Sequence, residues 1–409
     1  MFKFVFLCFL AGLLCLKPAT AGNDPAFVFY GYLSHQVIYD SYRSLDSRDG
    51  EIYFYPLRAN IDENGKDLNR KPRFNMVEVQ SRFGVRMAER EVFGASLTGL
   101  LEADFLGIHQ DYTRMLRLRQ AYVALNWERH MLLFGNTFHP AFVLECFPTT
   151  VSFASGVPFN PLNRSPQVRY AFSPVPEWSI SFSMLTHGYH RSAGPSDAQR
   201  NSGLPDMQFR LQYGDGILQA MGIVAGYKFL TPRDETASGI STRETIGSFN
   251  LQAFLKHTFP GFSVKAQGVY GQNLSSLVMI GGYGIKGRPG EVDLMGDYSY
   301  TNIRTISAWT DLETRGEPFR AGLFAGYTAN LGADHDYISL PGYARNDDLH
   351  YVYRFSPRLM YMAGNLEFAF EWSVVGAAYG LDWDHRHRVT QTDEPTVNNH
   401  IIFATKYYF

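Results

Sequence analysis

Cysteine is nearly absent from this sequence. Three occur in 409 residues, and two of them, Cys8 and Cys15, lie in an apolar N-terminal segment that we interpret as a signal peptide. The rest of the chain keeps Cys146 alone and can form no intrachain disulfide. This excludes the disulfide-stabilised domains found among small exported proteins, so stability must have another source.

Long apolar runs are missing as well. The longest, residues 4–16, is too short to cross a bilayer as a helix, and the mean hydropathy is slightly negative. Lys3 precedes this run and Pro18-Ala19-Thr20-Ala21 follows it, which is the pattern of a secretory signal peptide. We therefore exclude a helical membrane protein. We predict a signal peptide over residues 1–21 and one domain over residues 22–409.

Neither the charge nor the motifs indicate nucleic-acid binding or catalysis. The 37 Lys and Arg nearly balance the 39 Asp and Glu, which gives no reason to expect a nucleic-acid partner. The sequence has no Gly-rich phosphate loop and no Gly-x-Ser-x-Gly. His385 and His387 are too few ligands for a metal site. We predict no enzymatic activity, no metal and no cofactor.

Aromatic residues and glycine are plentiful, and apolar and polar residues alternate with a period of two. The chain has 25 Tyr, 32 Phe and 37 Gly, and it shows no sustained helical stripe. This pattern predicts an all-β protein of sixteen strands, an even number as in bacterial outer-membrane barrels. The predicted strands are 27–40, 75–88, 95–105, 115–126, 130–138, 166–173, 177–187, 206–213, 217–230, 245–257, 262–272, 304–312, 318–328, 349–362, 366–379 and 398–409.

The connections between these strands alternate in length. Even-numbered strands are followed by short links, whereas odd-numbered strands are followed by long polar ones. This asymmetry is typical of a transmembrane antiparallel β-barrel with short periplasmic turns and long extracellular loops. The long connections are 41–74, 106–114, 139–165, 188–205, 231–244, 273–303, 329–348 and 380–397.

The last predicted strand ends on an aromatic residue. Phe403, Tyr407 and Phe409 share one face, and His400 and Lys406 share the other. The closing strand of a barrel pairs with the first strand and so removes the open sheet edge. We expect the aromatic face to contact outer-membrane lipid, and the strand ending at Phe409 to bind the barrel-assembly machinery.

Charged residues alternate with apolar ones in the middle of several strands. Because charges are costly against lipid, they should face a lumen that sixteen strands leave wide enough for water. One hypothesis is a positive wall that attracts anionic solutes. The alternative is a set of structural ion pairs, such as Arg82 or Arg117 with Glu102 or Asp104. The predicted lumen residues are Arg82, Arg86, Arg117, Arg119, Arg169 and Arg210, with Glu102 and Asp104 on the third strand.

The third long connection, residues 139–165, is unusually apolar for an extracellular loop. Its apolar members include Phe142, Val143 and Phe147. We expect this loop to fold into the lumen and set the pore width, with Glu145 at the constriction opposite the arginines. The alternatives are a loop packed over the barrel mouth or against a neighbouring subunit.

Several of these elements resemble trimeric bacterial outer-membrane porins, and most closely the DcaP-like group. The resemblance is strongest over residues 75–170. It implies a sixteen-stranded homotrimer that passes small hydrophilic solutes, with arginines of strands two and four facing the pore. The matching segments are Gln80-Ser81-Arg82-Phe83-Gly84, Arg117-Leu118-Arg119-Gln120-Ala121-Tyr122-Val123, Phe134-Gly135-Asn136-Thr137-Phe138-His139-Pro140 and Arg164-Ser165-Pro166-Gln167-Val168-Arg169-Tyr170.

The sequence therefore favours an outer-membrane porin for passive diffusion of small hydrophilic solutes, and leaves a preference for anionic ones as a hypothesis. A second hypothesis is a surface-binding barrel whose long loops, above all 41–74 and 273–303, capture a ligand or a partner protein and leave no open pore.

Overall fold

The computed structural model describes residues 27–409, which form a closed barrel of sixteen antiparallel strands. The predicted signal peptide, residues 1–21, lies outside the described residues. We number the barrel strands β1–β16 in chain order and treat β2 as one strand in two segments. They are β1 Phe27–Asp40, β2 Arg73–Val77 and Arg82–Val92, β3 Ala95–Asp104, β4 Arg117–Asn126, β5 His130–Phe138, β6 Arg164–Phe172, β7 Trp178–Leu185, β8 Asp206–Tyr213, β9 Gln219–Leu230, β10 Ile246–Thr258, β11 Phe262–Gln272, β12 Tyr300–Thr314, β13 Phe319–Ala333, β14 Leu349–Ala363, β15 Leu366–Trp383 and β16 Thr396–Tyr408.

The first and last strands close the barrel. Tyr32 of β1 lies opposite Tyr408 of β16. Beside this pair, Gly31 and Phe409 exchange two backbone hydrogen bonds of 3.0 and 3.1 Å. The pairing removes the edge that two terminal strands would otherwise present. The predicted sixteen-stranded barrel, with short turns at one rim and long loops at the other, is confirmed.

The long loops carry short elements of their own. Among residues 27–409, no helix combines the length and the apolar character that a membrane span requires. We use L1 for residues 41–72, L2 for 105–116, L3 for 139–163, L6 for 273–299 and L7 for 334–348. The loop elements are the hairpin Ser44–Ser47 with Ile52–Pro56, the strands Gly281–Lys286, Tyr337–Ile338, Ala344–Arg345 and Val389–Thr392, the α-helix Ala198–Ser202, and the 3₁₀ turns Gln110–Tyr112 and Leu274–Leu277.

The barrel is apolar outside and polar inside. On β16, Phe403 and Tyr407 point outward and are exposed, whereas Asn398 and His400 point inward and are buried. At the short-turn rim the exposed aromatic rings pair, as in Phe319 with Tyr361 at 4.7 Å between centroids. A soluble sheet would bury its apolar face instead. The arrangement is the one expected when lipid surrounds the barrel and water enters it.

Strand β2 departs from the predicted register. Gln36 of β1 lies opposite Val77, whereas Tyr32 lies opposite Arg82, so β2 contains one extra residue between these pairs. A bulge of this kind switches the face on which the following side chains lie. Val77 and Val79 are therefore buried inside the barrel. An unbroken alternation along β2 would instead place them on the outward face with Phe83.

The main hydrophobic core lies inside the barrel. It joins apolar residues of L1, such as Tyr53 and Tyr55, to Phe142 and Phe159 of L3 and to inward residues of the wall. In L6, residues 274–280 are buried as well. Three long loops therefore fold inward and line or fill the upper lumen.

Candidate pore constriction

L3 crosses the lumen from β5 to the opposite wall. The Cys146 thiol donates a hydrogen bond of 3.2 Å to the carbonyl oxygen of Leu255 on β10. Burial raises the pKa of this thiol to about 11, which keeps it protonated at neutral pH. Farther along, Phe159 packs against Phe324 on β13, with 5.9 Å between ring centroids. The predicted inward folding of the third loop is confirmed.

A glycine on the wall admits this loop. A Cβ atom added to Gly326 would lie 2.7 Å from Cγ of Phe159, closer than carbon atoms pack. The hydroxyl of Ser307, on the adjacent β12, donates to the Phe159 carbonyl at 2.9 Å. The wall is therefore shaped to receive this part of L3.

Arg358 on β14 anchors the middle of L3. Its Nη1 atom lies 2.6 Å from Asp311 Oδ1, and its Nη2 atom lies 2.8 Å from both Glu313 and the Thr149 hydroxyl. Asp311 also accepts the Thr149 backbone N–H at 3.0 Å. Charge-assisted bonds in this geometry are among the stronger polar contacts in proteins. L3 is thus tied to two strands on the far side of the barrel.

Gly322 makes the anchor possible. Asp311 lies on β12 and Arg358 on β14, and β13 runs between them. A Cβ atom at Gly322 would overlap the Arg358 guanidinium. Because Gly322 has no side chain, the inner surface of β13 stays free at this point, and Arg358 extends across it to Asp311.

A second buried pair holds the next turn of L3. Arg354 Nη2 lies 2.5 Å from Glu371 Oε1, and both side chains are buried. The other carboxylate oxygen of Glu371 accepts the Val151 backbone N–H at 2.7 Å. A buried carboxylate needs such partners to offset its lost hydration. The wall charges here position the loop.

The predicted arginine wall contains a compact cluster of two arginines and two acids. Arg117 binds Asp104 through two bonds, 2.9 and 2.8 Å long. Arg119 bridges Glu102 at 2.8 Å and Asp104 at 2.7 Å. All four side chains are buried. Their formal charges cancel, so this part of the wall matches the ion-pair alternative.

The other two arginines near this cluster are less firmly paired. Arg82 lies 3.8 Å from Glu102, beyond hydrogen-bond distance. Arg86 is exposed, and its guanidinium stands 5.2 Å from the ring centroid of Tyr30. Their positive charges are less completely neutralised than those of Arg117 and Arg119.

Glu145 of L3 faces the arginine of β8. Its carboxylate pairs with Arg210 at 2.6 Å. Burial raises the pKa of the Glu145 carboxyl, but the charge and hydrogen bond of Arg210, together with a backbone hydrogen bond and the charge of Arg169, lower it overall. Arg169 on β6 bonds instead to Gln167 at 2.7 Å and to the Phe138 carbonyl at 2.8 Å.

A cavity of about 350 Å³ lies below L3, on the short-turn side of the lumen. Arg164 borders it and was missed in the sequence-based set. This side chain is buried over the Phe138 ring, 4.4 Å from its centroid, and forms no ion pair with any residue in 27–409. Five basic side chains line the cavity against two acidic ones: Arg82, Arg119, Arg164, Arg320 and Lys406, with Glu313 and Glu367.

The residues that anchor L3 on the far wall were also missed, although the sequence carried a signal for them. Arg354 and Arg358 alternate with apolar residues along β14, as Arg82 and Arg86 do along β2. Period-two alternation therefore marked their inward face. Their partners, in L3 and on β12, are far away in sequence and could not be inferred from it.

Three solved structures are similar to this chain. The outer membrane channel DcaP of Acinetobacter baumannii matches with a TM-score of 0.69 over 96% of this chain and 100% of its own, at 16% identity. The anion-selective porin from Comamonas acidovorans gives 0.55 over 94% and 100%, at 9% identity. Outer-membrane expressed OmpT of Vibrio cholerae gives 0.56 over 95% and 99%, at 10% identity.

These likenesses establish the architecture. The chain has the sixteen-stranded barrel fold of outer-membrane porins. The resemblance seen in the sequence motifs is thus confirmed at the level of the fold. No protein-family model and no curated protein sequence matches the chain.

Proposed function

We propose that this protein is an outer-membrane porin for passive diffusion of small hydrophilic solutes. Three features support this proposal: the barrel is apolar outside, its interior is charged, and one loop is anchored across the lumen. Such a pore needs no catalytic residue. Its width depends on the position of L3, and its ion preference depends on the wall charges.

Within this function we propose a preference for anions. The support is the excess of basic over acidic side chains around the cavity below L3, and most of all Arg164 and Arg82, which are weakly neutralised. Arg117 and Arg119 contribute less, because Glu102 and Asp104 compensate them at close range. Selectivity would therefore come from a few charges that are absent from, or only weakly held in, ion pairs.

We further propose a homotrimer whose subunits meet at L2. Ile108, Tyr112, Met115 and Leu116 of this loop are more than half exposed, with relative exposures between 53% and 65%. Exposed apolar residues clustered on an extracellular loop favour contact with another protein surface. Native mass spectrometry in detergent should give three chains, and Ile108→Asp with Leu116→Asp should give a folded monomer.

The surface-capture hypothesis is less well supported by the loops themselves. It requires L1 and L6 to project outward, yet apolar segments of both are buried inside the barrel. We therefore favour the channel. Planar-bilayer recording decides between the two, because a porin gives discrete conductance steps and a capture barrel gives none.

A further inference from the structure

The hairpin of L1 lies inside the barrel and packs on L3. Its second strand, Ile52–Pro56, is buried at every residue. Ile52, Tyr53 and Tyr55 belong to the same apolar cluster as Phe142 of L3. This hairpin therefore fills part of the upper lumen beside L3.

The two strands of the hairpin are tied to β15 and β16. Tyr53 stacks on His400 of β16, with 4.2 Å between ring centroids. The Asn398 side-chain amide donates to Asp40 at 2.6 Å and to the Tyr53 hydroxyl at 3.1 Å. The Tyr379 hydroxyl donates to the Pro56 carbonyl at 2.7 Å. These contacts hold the hairpin strands, whereas the turn between them, residues 48–51, depends on its own partners.

The tip carries a buried carboxylate with little support. Glu51 is 2% exposed, and one of its oxygens accepts a hydrogen bond of 2.8 Å from Gln80. Within residues 27–409, its second oxygen, Oε1, has no donor, and the carboxylate forms no ion pair. A buried carboxylate without a cation is far more stable protonated than ionised.

We propose that the L1 hairpin is a pH-sensitive gate, seated in the lumen while Glu51 is protonated and released when Glu51 ionises. The proposal rests on the proposed channel function. It requires the closed hairpin to narrow the path and the released hairpin to widen it.

The charges around Glu51 fit this direction. Lys406 of β16 faces it and favours ionisation, whereas Asp104 of β3 and Glu78 of the β2 bulge oppose it. On the hairpin itself, Arg48 faces Arg117 and Asp104, and Asp49 pairs with Arg114 at 2.9 Å. Asp46 of the first hairpin strand pairs with Arg73 at 3.2 Å and faces Asp40 of β1 and His400 of β16.

Burial raises the pKa of Glu51 from 4.5 to about 7, and the Gln80 hydrogen bond offsets only part of that rise. Because the carboxyl pKa is higher in the seated hairpin than in the released one, protonation stabilises the seated hairpin at low pH. This stabilisation is lost as the pH rises from the ordinary carboxyl pKa to the raised value. If the released hairpin restores the ordinary pKa, the opening equilibrium constant should rise about tenfold between pH 6 and pH 8.

Single-channel recording at pH 6 and pH 8 tests the gate. The wild type should spend more time in a larger-conductance state at pH 8. Glu51→Gln should spend most of its time in the low-conductance state at both pH values. Glu63→Gln is the matched control, because Glu63 is an exposed carboxylate of L1 that forms no ion pair within residues 27–409, and it should behave like the wild type. An unchanged pH response in Glu51→Gln would overturn the proposal.

Two further measurements separate a failed gate from a failed channel. Replacing residues 44–56 with a short glycine linker should give the large conductance at both pH values. Amide hydrogen exchange, corrected for the intrinsic rate, should show residues 44–56 less protected at pH 8 in the wild type but not in Glu51→Gln. If no variant conducts at either pH, the channel is refuted. If conductance steps occur but the exchange protection of residues 44–56 does not change with pH, only the gate is refuted.

Discussion

Arg358 on the barrel wall reaches Thr149 on the crossing loop, with 2.8 Å between the guanidinium Nη2 atom and the hydroxyl oxygen. The two residues are 209 positions apart in sequence. The same guanidinium pairs with both Asp311 and Glu313. One side chain therefore binds two wall carboxylates and fixes the loop that crosses the lumen.

Replacing Arg358 should free L3. Arg358→Met leaves Asp311 buried without its cation, at a cost of about 3–5 kcal/mol in unfolding free energy. We expect a lower midpoint of heat-induced unfolding on gels and a larger, noisier single-channel conductance. Arg320→Met is the control, because Arg320 lies 3.9 Å from Glu313 and is partly exposed. Equal conductance in Arg358→Met and the wild type would show that this anchor does not set the pore width.

Replacing Arg164 should reduce the preference for anions. A unit charge about 8 Å from a passing ion contributes about 0.5 kcal/mol in water, so Arg164→Gln should lower the anion-to-cation permeability ratio about twofold. Reversal potentials in a salt gradient measure this ratio. Arg129→Gln, which removes an exposed charge from a short turn, should leave the ratio unchanged.

The joint replacement of Arg82, Arg117 and Arg119 by Ala should shift selectivity towards cations as well.

Removing the loop carboxylate should have the opposite effect. Glu145→Gln leaves Arg210 uncompensated and should shift the reversal potential towards anions at pH 7. Because the pKa of Glu145 is lowered, its ion pair is complete above the ordinary carboxyl pKa and is lost as the pH falls through the lowered value. Acidifying the wild type should therefore reproduce the Gln phenotype, while Glu145→Gln should lack this acid-dependent shift. A shift that persists in the variant would assign it to another group.

The closing strand should depend on its terminal aromatic residue. Phe409 exchanges two backbone hydrogen bonds with Gly31, and its ring is exposed at the short-turn rim. Deleting Phe409 removes these bonds and the ring, so we expect less assembled, heat-modifiable protein in outer-membrane fractions. Phe409→Tyr should assemble normally. Normal assembly of the truncated chain would contradict the role given to this residue.

The strands and the inward course of L3 could be predicted because each has a local signature. Period-two alternation marks a two-faced strand wherever it occurs, and Phe142 and Val143 are out of place in a hydrated loop. The run Ile52-Tyr53-Phe54-Tyr55 carries the same signal for L1. Its inward folding was missed because L1 also contains a long polar segment, residues 57–72.

The charge pairing and the β2 register could not be derived in the same way. Alternation places Arg117 and Arg119 on the inner face, but whether they attract solutes or bind Asp104 depends on the strand stagger. The extra residue near Val79 is invisible in the alternation, since apolar residues continue on both sides of it. Contacts such as Arg358 with Thr149 join segments that only barrel closure brings together.

Planar-bilayer recording of the purified, heat-modifiable wild-type barrel shows whether the folded protein conducts ions. We expect discrete conductance steps, three together if the trimer is retained, with a reversal potential on the anion side. A folded barrel that inserts into the bilayer and passes no current at any pH between 6 and 8 would contradict this expectation.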